Sequence, residues 1–427
     1  MYPPEKGGNA SRIHDLAVNL EQDSWNVIVL APPPTIPVQE FSRTWNRSTK
    51  SKDESVEVWR LWTWQPQVEN PGLLRRLPYY LIFGIHALLW LLVHRNRTDL
   101  VITTSPPIST GAPGVAVSHM GIPWVVDVRD LWIDASISLG YLAEGSFLEK
   151  ISRIYQQMVF RQCDLITVTT ETLGKDIQDR YSVHPDKISV IPNGVDIELF
   201  SPANETGLSQ DVNNSEGLVE PIDDDDIGDE PSMLFESEWD SKPSIIYTGN
   251  LGSSQDLETC IRAMQHLQNE NASLVLIGDG DVKSDLQKLT EEIEVADCVD
   301  FYDPIPRKYI PEVLQRAEIG LAPLKNLDTL AYAIPTKVYE YHAGSLPTVV
   351  MGGEEIARFV EQSNGGLWVP NDPEKLANII DELLGDKHRR QKIGKQGHSF
   401  VKSNYDRSNI ADQLSEELVA LLPDSKT

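Results

Sequence analysis

One unit recurs along this chain and constrains the fold most: a short, mainly apolar run that ends in a glycine or charged turn and enters a helical stretch. In the first half the runs are Trp25–Leu30 (WNVIVL), Asp99–Thr103 (DLVIT), Ile122–Val128 (IPWVVDV), Leu165–Thr169 and Ile188–Ile191. The second half repeats the pattern at Ser244–Thr248 (SIIYT), Ser273–Ile277 (SLVLI), Val299–Tyr302, Ile319–Pro323 and Pro347–Met351. Runs of this kind suit strands buried on both faces of a parallel sheet, and their alternation with helices makes βαβ units. At 427 residues the chain is too long for one ordinary core, so two α/β domains are expected. The bounds expected are 1–192 for the first, 193–240 for a linker, 241–400 for the second, and 401–427 for a C-terminal helix. That last helix carries Ile410, Leu414, Leu418 and Leu421 on one stripe.

The start of the first domain reads as a Pro/Gly turn and an amphipathic helix, with Asn9 or Ser11 available to cap it. Gly7–Gly8 lets backbone come close to a ligand. A strand should precede Tyr2, and only Met1 does, so the sheet is expected to lack its first strand and the natural start to lie upstream. Residues 31–70 read as irregular apart from a strand at Val56–Trp62. Pro78–His94 contains no Asp, Glu, Lys or Arg and is flanked by Arg75, Arg76, Arg95 and Arg97. It fits a buried domain helix, a helix lying in a membrane surface, or a borderline span.

Charge narrows the partners. A net charge of -27 argues against nucleic-acid backbones. The segment 201–240 holds thirteen Asp and Glu and no Lys or Arg, about half of that excess, and reads as a disordered tether. Cys163, Cys260 and Cys298 lie far apart, giving neither a disulfide framework nor a metal spacing, and a reducing cytosol fits. No G-x-G-x-x-G with a downstream acid, Walker loop, nucleophile elbow or zinc spacing appears.

Two charged clusters stand out, one at the start of a helix and one past the carboxyl end of a strand, where open α/β sheets bind ligands. In Ile334–Gly344 (IPTKVYEYHAG) a helix starting near Thr336 offers backbone N–H groups, a positive dipole end and Lys337 to an anion. Glu340, one turn further, can accept hydroxyl hydrogen bonds. That combination suits a phosphate with a sugar; the plainer reading is a surface helix with a Lys–Glu pair. After Ile122–Val128, Asp127, Arg129 and Asp130 form a mixed cluster beside Trp132, whose plainer reading is an internal ion pair.

The series GGNASRIHDLA, VVDVRDLW, ISVIPNGVDIELFSP, YTGNLGSSQDLETCIRA, LVLIGDG and IPTKVYEYHAGSLPTVV resembles family-4 glycosyltransferases of the GT-B fold. It is most similar to the fucosamine-transferase-like branch that builds surface polysaccharides. The resemblance covers nearly the whole chain except the acidic segment. It implies two Rossmann-like domains facing across a cleft, with the C-terminal helix crossing back to the first. It also implies retaining transfer from a nucleoside-diphosphate sugar (UDP or GDP), without metal or cofactor, the second half binding the nucleotide and the first the acceptor. Gly7 and Gly8 match the loop near the donor phosphates. Gly249 and Gly252 match the turn opening the second domain. Gly278, Asp279 and Gly280 match the turn near the base, and Glu340 matches the ribose-binding glutamate.

The family's other glutamate, eight positions earlier, is Tyr332 here. Its basic pair falls near Asn250 and Gln255, both neutral, so Lys325, Lys337 and the Thr336 N–H are the substitutes expected at the diphosphate. Asp127 or Asp130 would orient or deprotonate an acceptor hydroxyl, with Arg129 holding an anionic group. The apolar Pro78–His94 stretch points to a lipid-linked saccharide acceptor and a cytoplasmic enzyme on the inner face of the cell membrane. A nucleotide-sugar 2-epimerase and a non-catalytic sugar-nucleotide-binding partner stay open beside this reading.

Overall fold

The apolar runs pair as strands in three sheets, seen in a computed structural model that describes residues 2–5, 8–35, 41–53, 56–66, 73–106, 108–138, 140, 142–201 and 242–423. The acidic segment and Gly7 lie outside the described residues. Met1–Gly194 with Arg407–Thr427 forms one unit and Val195–Asp406 the other.

In the first unit, helix α1 (Gly8–Gln22) leads to β1 (Ile28–Ala31), β2 (Ser48–Asp53) and β3 (Val56–Leu61). These make a sheet in the order β1-β3-β2, with β1 parallel and β2 antiparallel to β3. Because α1 begins at Gly8, neither Asn9 nor Ser11 is its N-cap. Strand β2 corrects the irregular reading of 31–70. Its sequence, STKSKD, has no apolar alternation, and it is held as a polar edge strand in which Lys50 pairs with Glu57 at 2.7 Å.

Next come α2 (Leu73–His94), β4 (Val101–Ser105), α3 (Gly111–Ser118), β5 (Trp124–Val128), α4 (Trp132–Ser138), α5 (Phe147–Gln162), β6 (Leu165–Val168), α6 (Glu171–Tyr181) and β7 (Ile188–Val190). Strands β4-β5-β6-β7 form a parallel sheet in that order. Small residues let α3 lie on this sheet: a Cβ at Gly114 would sit 1.9 Å from the buried Trp124 indole. Ser146 and Thr170 cap α5 and α6 by accepting from Glu149 and Leu173 N–H groups.

The second unit opens with α7 (Ile197–Phe200) and β8 (Ser244–Thr248), followed by α8 (Leu257–Ala263), β9 (Ser273–Ile277), α9 (Lys283–Glu292) and β10 (Val299–Tyr302). The chain continues through α10 (Ile310–Gln315), β11 (Ile319–Pro323), α11 (Thr336–Ala343), β12 (Thr348–Met351), α12 (Glu354–Ser363), β13 (Gly366–Trp368), α13 (Pro373–Gly385) and α14 (Lys387–Asn404). Its six-stranded parallel sheet has the order β10-β9-β8-β11-β12-β13. The direction of winding therefore reverses between β8 and β11, the switch point at which such sheets bind ligands. Both faces are covered: Ile245, Tyr247, Leu274 and Leu276 enter one core, and Ile246, Val275 and Ile277 the other.

Helix α15 (Arg407–Leu421) belongs to the first unit, as expected for a helix that crosses back, although residues 401–404 complete α14 rather than beginning it. Its Ile410, Leu414 and Leu418 are buried. Trp25 donates its indole N–H to Ser415 Oγ at 2.9 Å, and Ser189 Oγ donates to Glu417 at 2.7 Å.

Candidate functional site

At the switch point the turns after β8 and β9 lie against each other. Gly249 N–H donates to Ile277 O at 2.9 Å, and Leu251 N–H to Asp279 O at 2.8 Å. Gly249 (φ 123°) and Gly278 (φ 152°) adopt backbone that L side chains rarely reach, and a Cβ at Gly278 would lie 1.8 Å from Gly249 O. These glycines are needed for the turns to meet; that packing also leaves the backbone bare where a ligand would approach.

Helix α11 fits over this turn. The Tyr341 hydroxyl accepts the Thr248 N–H at 2.9 Å and lies 3.1 Å from Thr248 Oγ1, fixing the helix to the end of β8. Gly320 makes room, since a Cβ there would reach within 2.5 Å of the Tyr341 ring. Lys337 is 8% exposed, and its ammonium stands 3.5 Å from the centre of the Tyr247 ring. It also lies 3.5 Å from where a Cβ of Gly249 would be. Burial pushes its pKa well below the usual lysine range, against the pull of Glu340 and Cys260. The N-terminus of α11 has no side-chain cap; Pro335 precedes its first residue, Thr336.

One turn on, Glu340 Oε1 is 3.7 Å from Arg307 Nε. Burial raises the Glu340 pKa, and Arg307 and Lys337 oppose that rise. Arg307, whose guanidinium also lies over the Phe200 ring at 5.6 Å, is a site residue that sequence reading missed. It sits in the loop after β10, 33 positions before Glu340, where nothing in the spacing marks it.

The remaining expected donor residues are more loosely placed. Lys325 is exposed just past β11, its backbone N–H donating to Ser254 O at 3.0 Å. Gln255 forms a bridge to Leu324, which keeps that loop beside the end of β11. Gly252 closes the same turn by accepting from Gln255 N–H at 2.9 Å, Asp279 is exposed, and Gly280 packs on Leu251 O. Tyr332 is buried.

In the first unit, Asp127 is buried at the end of β5. Its Oδ1 takes the Arg12 guanidinium at 3.2 Å and the Thr167 hydroxyl at 3.0 Å. Arg12 also donates to Pro192 O at 2.6 Å, Asn193 Oδ1 at 3.2 Å and Ile191 O at 2.9 Å. Through Arg12, Asp127 thus ties α1 to the chain at Ile191, Pro192 and Asn193, which fits the internal ion pair more closely than a free base. Beside it Arg407 pairs with Asp15 and donates to Gly194 O at 3.1 Å, and burial, with Arg12 nearby, lowers its pKa to about 10.

Arg129 donates to Pro106 O at 3.2 Å, and burial lowers its pKa while Asp127 and Asp130 oppose the change. Asp130 has its pKa raised by burial, with Arg129 opposing. Gly8 is the first residue of α1.

Each half of the chain matches a known family model. Residues 6–199 match the Glycosyltransferase Family 4 model, and residues 229–400 match Glycosyl transferases group 1. WcaI of Escherichia coli K12, described as a colanic acid biosynthesis glycosyl transferase, is 22% identical over 430 residues, covering 98% of this chain and 97% of its own. Sucrose-phosphate synthase of Thermosynechococcus elongatus superposes with a TM-score of 0.72 at 16% identity, over 97% of this chain and 94% of that one. HepE of Anabaena, solved in complex with UDP and glucose, gives 0.66 at 15% identity over 98% of each chain. The two Rossmann-like halves are those of the GT-B fold.

Proposed function

From a chain that carries a glycosyltransferase family 4 domain followed by a glycosyl transferases group 1 domain, we propose a retaining transferase that moves a hexosyl or aminosugar unit from a nucleoside-diphosphate sugar to a saccharide hydroxyl. The observation that carries the reading is α11. Its buried Lys337 reaches the glycine turn at the switch point, its N-terminus carries no side-chain cap, and the half-buried Glu340 lies one turn further along the helix. Departure of a diphosphate develops negative charge, and a desolvated ammonium with a helix dipole stabilises it more than water would. Lys337 and Thr336 N–H take the diphosphate, Glu340 the ribose hydroxyls, and Arg307 holds the Glu340 carboxylate in place. UDP is the first nucleotide to test, because HepE was solved with it.

In the first unit Asp130 orients or deprotonates the acceptor hydroxyl and Arg129 takes an anionic group. The acceptor is a lipid-linked saccharide in polysaccharide assembly, in keeping with WcaI. Among the described residues no helix is long and apolar enough to cross a membrane. Helix α2 instead leaves an apolar face in the open, with Ile85 59% and Val93 79% exposed beside Leu81 and Leu89. Its exposed basic end, Arg95 and Arg97, suits anionic headgroups.

The test is a thermal-shift screen of nucleotide sugars followed by transfer from the stabilising donor to isolated lipid-linked saccharide, with and without EDTA. Label should enter the lipid fraction at an EDTA-independent rate. Donor conversion without acceptor would instead mean a 2-epimerase, and binding without consumption a non-catalytic partner, a reading that Tyr332 and the neutral Asn250 and Gln255 favour. Flotation with Leu81, Ile85, Leu89 and Val93 changed to serine should lose vesicles; unchanged flotation refutes the membrane role.

A further inference from the structure

Three tryptophans gather at the surface of the first unit, just past β3 and in the segment before β2. Trp45 is stacked on Trp62, with ring centres 6.1 Å apart and planes 24° from parallel, yet it remains 68% exposed. Trp64 is 39% exposed, and Arg43 spans the group, its guanidinium 4.5 Å from the Trp64 ring centre and 5.8 Å from that of Trp45. Exposed indoles in a group are uncommon on a soluble surface and mark a place where something docks.

The platform is built rather than frayed. Trp62 Nε1 donates to Thr44 O at 3.0 Å, Gln65 Nε2 donates to the same carbonyl at 3.1 Å, and Gln65 Oε1 accepts the Thr44 N–H at 3.0 Å. Arg43 Nη2 closes the arrangement on Gln65 O at 3.1 Å. Beside it lies a pocket of about 310 Å³, within the range of small-molecule sites. Its lining runs from Pro33 and Pro34 to Ser42, Thr44, Asn46 and Thr49, and Trp45 is joined to it through its chain neighbours Thr44 and Asn46 rather than lining it itself.

An indole face bordered by hydroxyl, amide and guanidinium groups matches one ligand class. A pyranose ring presents C–H groups on its faces, which lie well on the electron-rich face of an indole, while hydroxyls around its rim exchange hydrogen bonds with polar side chains. A lipid surface would use the indoles but has no need of the hydroxyl and amide groups that Ser42, Thr44, Asn46 and Thr49 bring to the pocket. We propose that this platform and pocket bind an oligosaccharide. Resting on the transferase reading above, the occupant is the glycan of the acceptor.

The placement supports that assignment. Thr63 Oγ1 donates to Tyr79 O at 2.5 Å, and His86 Nδ1 meets Trp62 O at 3.1 Å. Both bonds tie the platform to α2, whose apolar face the same reading gives to lipid. The two chemically different parts of a lipid-linked saccharide would then have adjoining seats on one rigid support.

The experiment measures binding alone, with full-length protein and no donor. Maltohexaose, a dextran hexasaccharide and a hyaluronan hexasaccharide are titrated by saturation-transfer NMR and tryptophan fluorescence. At least one should bind, and Trp45→Ala and Thr49→Ala should each weaken it tenfold or more. UDP affinity, the melting midpoint and flotation on phosphatidylglycerol vesicles should be unchanged. Absence of binding to all three, or equal binding by Trp45→Ala, overturns the proposal. Loss of vesicle flotation with saccharide binding intact overturns it too, making the platform a membrane anchor. Saccharide binding that depends on Trp45 in a protein that transfers no sugar would leave the site standing and sink only the transferase reading.

Discussion

Helix α4 follows a charged cluster at the carboxyl end of β5, and α11 carries its own charged pair over the carboxyl end of β8, yet the two clusters differ in what satisfies their charges. At β5 the buried Asp127 is held by Arg12 and Thr167, and Arg12 spends its remaining donors on Ile191, Pro192 and Asn193. At α11 the buried Lys337 faces an aromatic ring, and Glu340 meets Arg307 only at 3.7 Å. The first arrangement ties distant segments of the chain together through Asp127 Oδ1, although Oδ2 is buried with no hydrogen-bond partner among the described residues. The second keeps its charges under desolvation stress that an incoming anion and a pair of hydroxyls would relieve. On the function proposed above, similar composition beside similar strands serves cohesion in one place and recognition in the other.

The comparison breaks most visibly at Arg12. Arg12→Ala leaves a buried carboxylate without its partner and should cost about 3–5 kcal/mol in denaturant unfolding. A loss below about 1 kcal/mol, the scale of an exposed pair, would show that Asp127 is not locked. Lys337→Met should act the other way round. Turnover falls roughly 100- to 1,000-fold, the cost of removing one transition-state donor, while the melting midpoint holds or rises. Unchanged turnover would strip α11 of its role. The same lysine predicts proton uptake on UDP binding: its pKa is depressed when free and rises beside a diphosphate, so affinity should weaken as pH increases through that interval. Calorimetry in two buffers of different ionisation enthalpy reads the uptake directly.

Glu340→Ala should weaken donor binding by roughly 1.5–3 kcal/mol, the range for charged hydrogen bonds, with little effect on folding. An unaltered dissociation constant removes Glu340 from the site. The smallest effect concerns His342, one helical turn from Val338 on the buried side of α11. It is stacked on Phe359 at 5.6 Å, and burial lowers its pKa to about 3. A folded pKa below the unfolded value means stability is full above pH 6.5 and is lost as pH falls toward 3. Between pH 6.5 and 5 the loss should be about 1.5 kcal/mol, and it should vanish in His342→Phe. Equal slopes for both proteins would place the acid sensitivity elsewhere.

Much of the scaffold was legible in the residues. Apolar runs such as SIIYT and SLVLI could satisfy their backbone only within a sheet covered on both faces, and they are strands at those positions. Phe147–Gln162 carries both its cap and its helical period in the sequence. The edge strand Ser48–Asp53 was illegible, because its support comes from β3 rather than from its own pattern. Arg307 and the tryptophan platform were illegible for the same reason: each is assembled from segments brought together by folding.

Sequence alone therefore determined the alternation of strand and helix, the glycines at the two interlocking turns and the placing of Lys337 and Glu340 on one helix. Those properties depend on local sterics and on burial of short apolar runs, which neighbouring residues control. Tertiary structure alone decided that Asp127 is tied to Arg12 while Lys337 stands over Tyr247. Whether a charge is satisfied depends on partners 115 and 90 positions away, and only the packed chain brings them within reach.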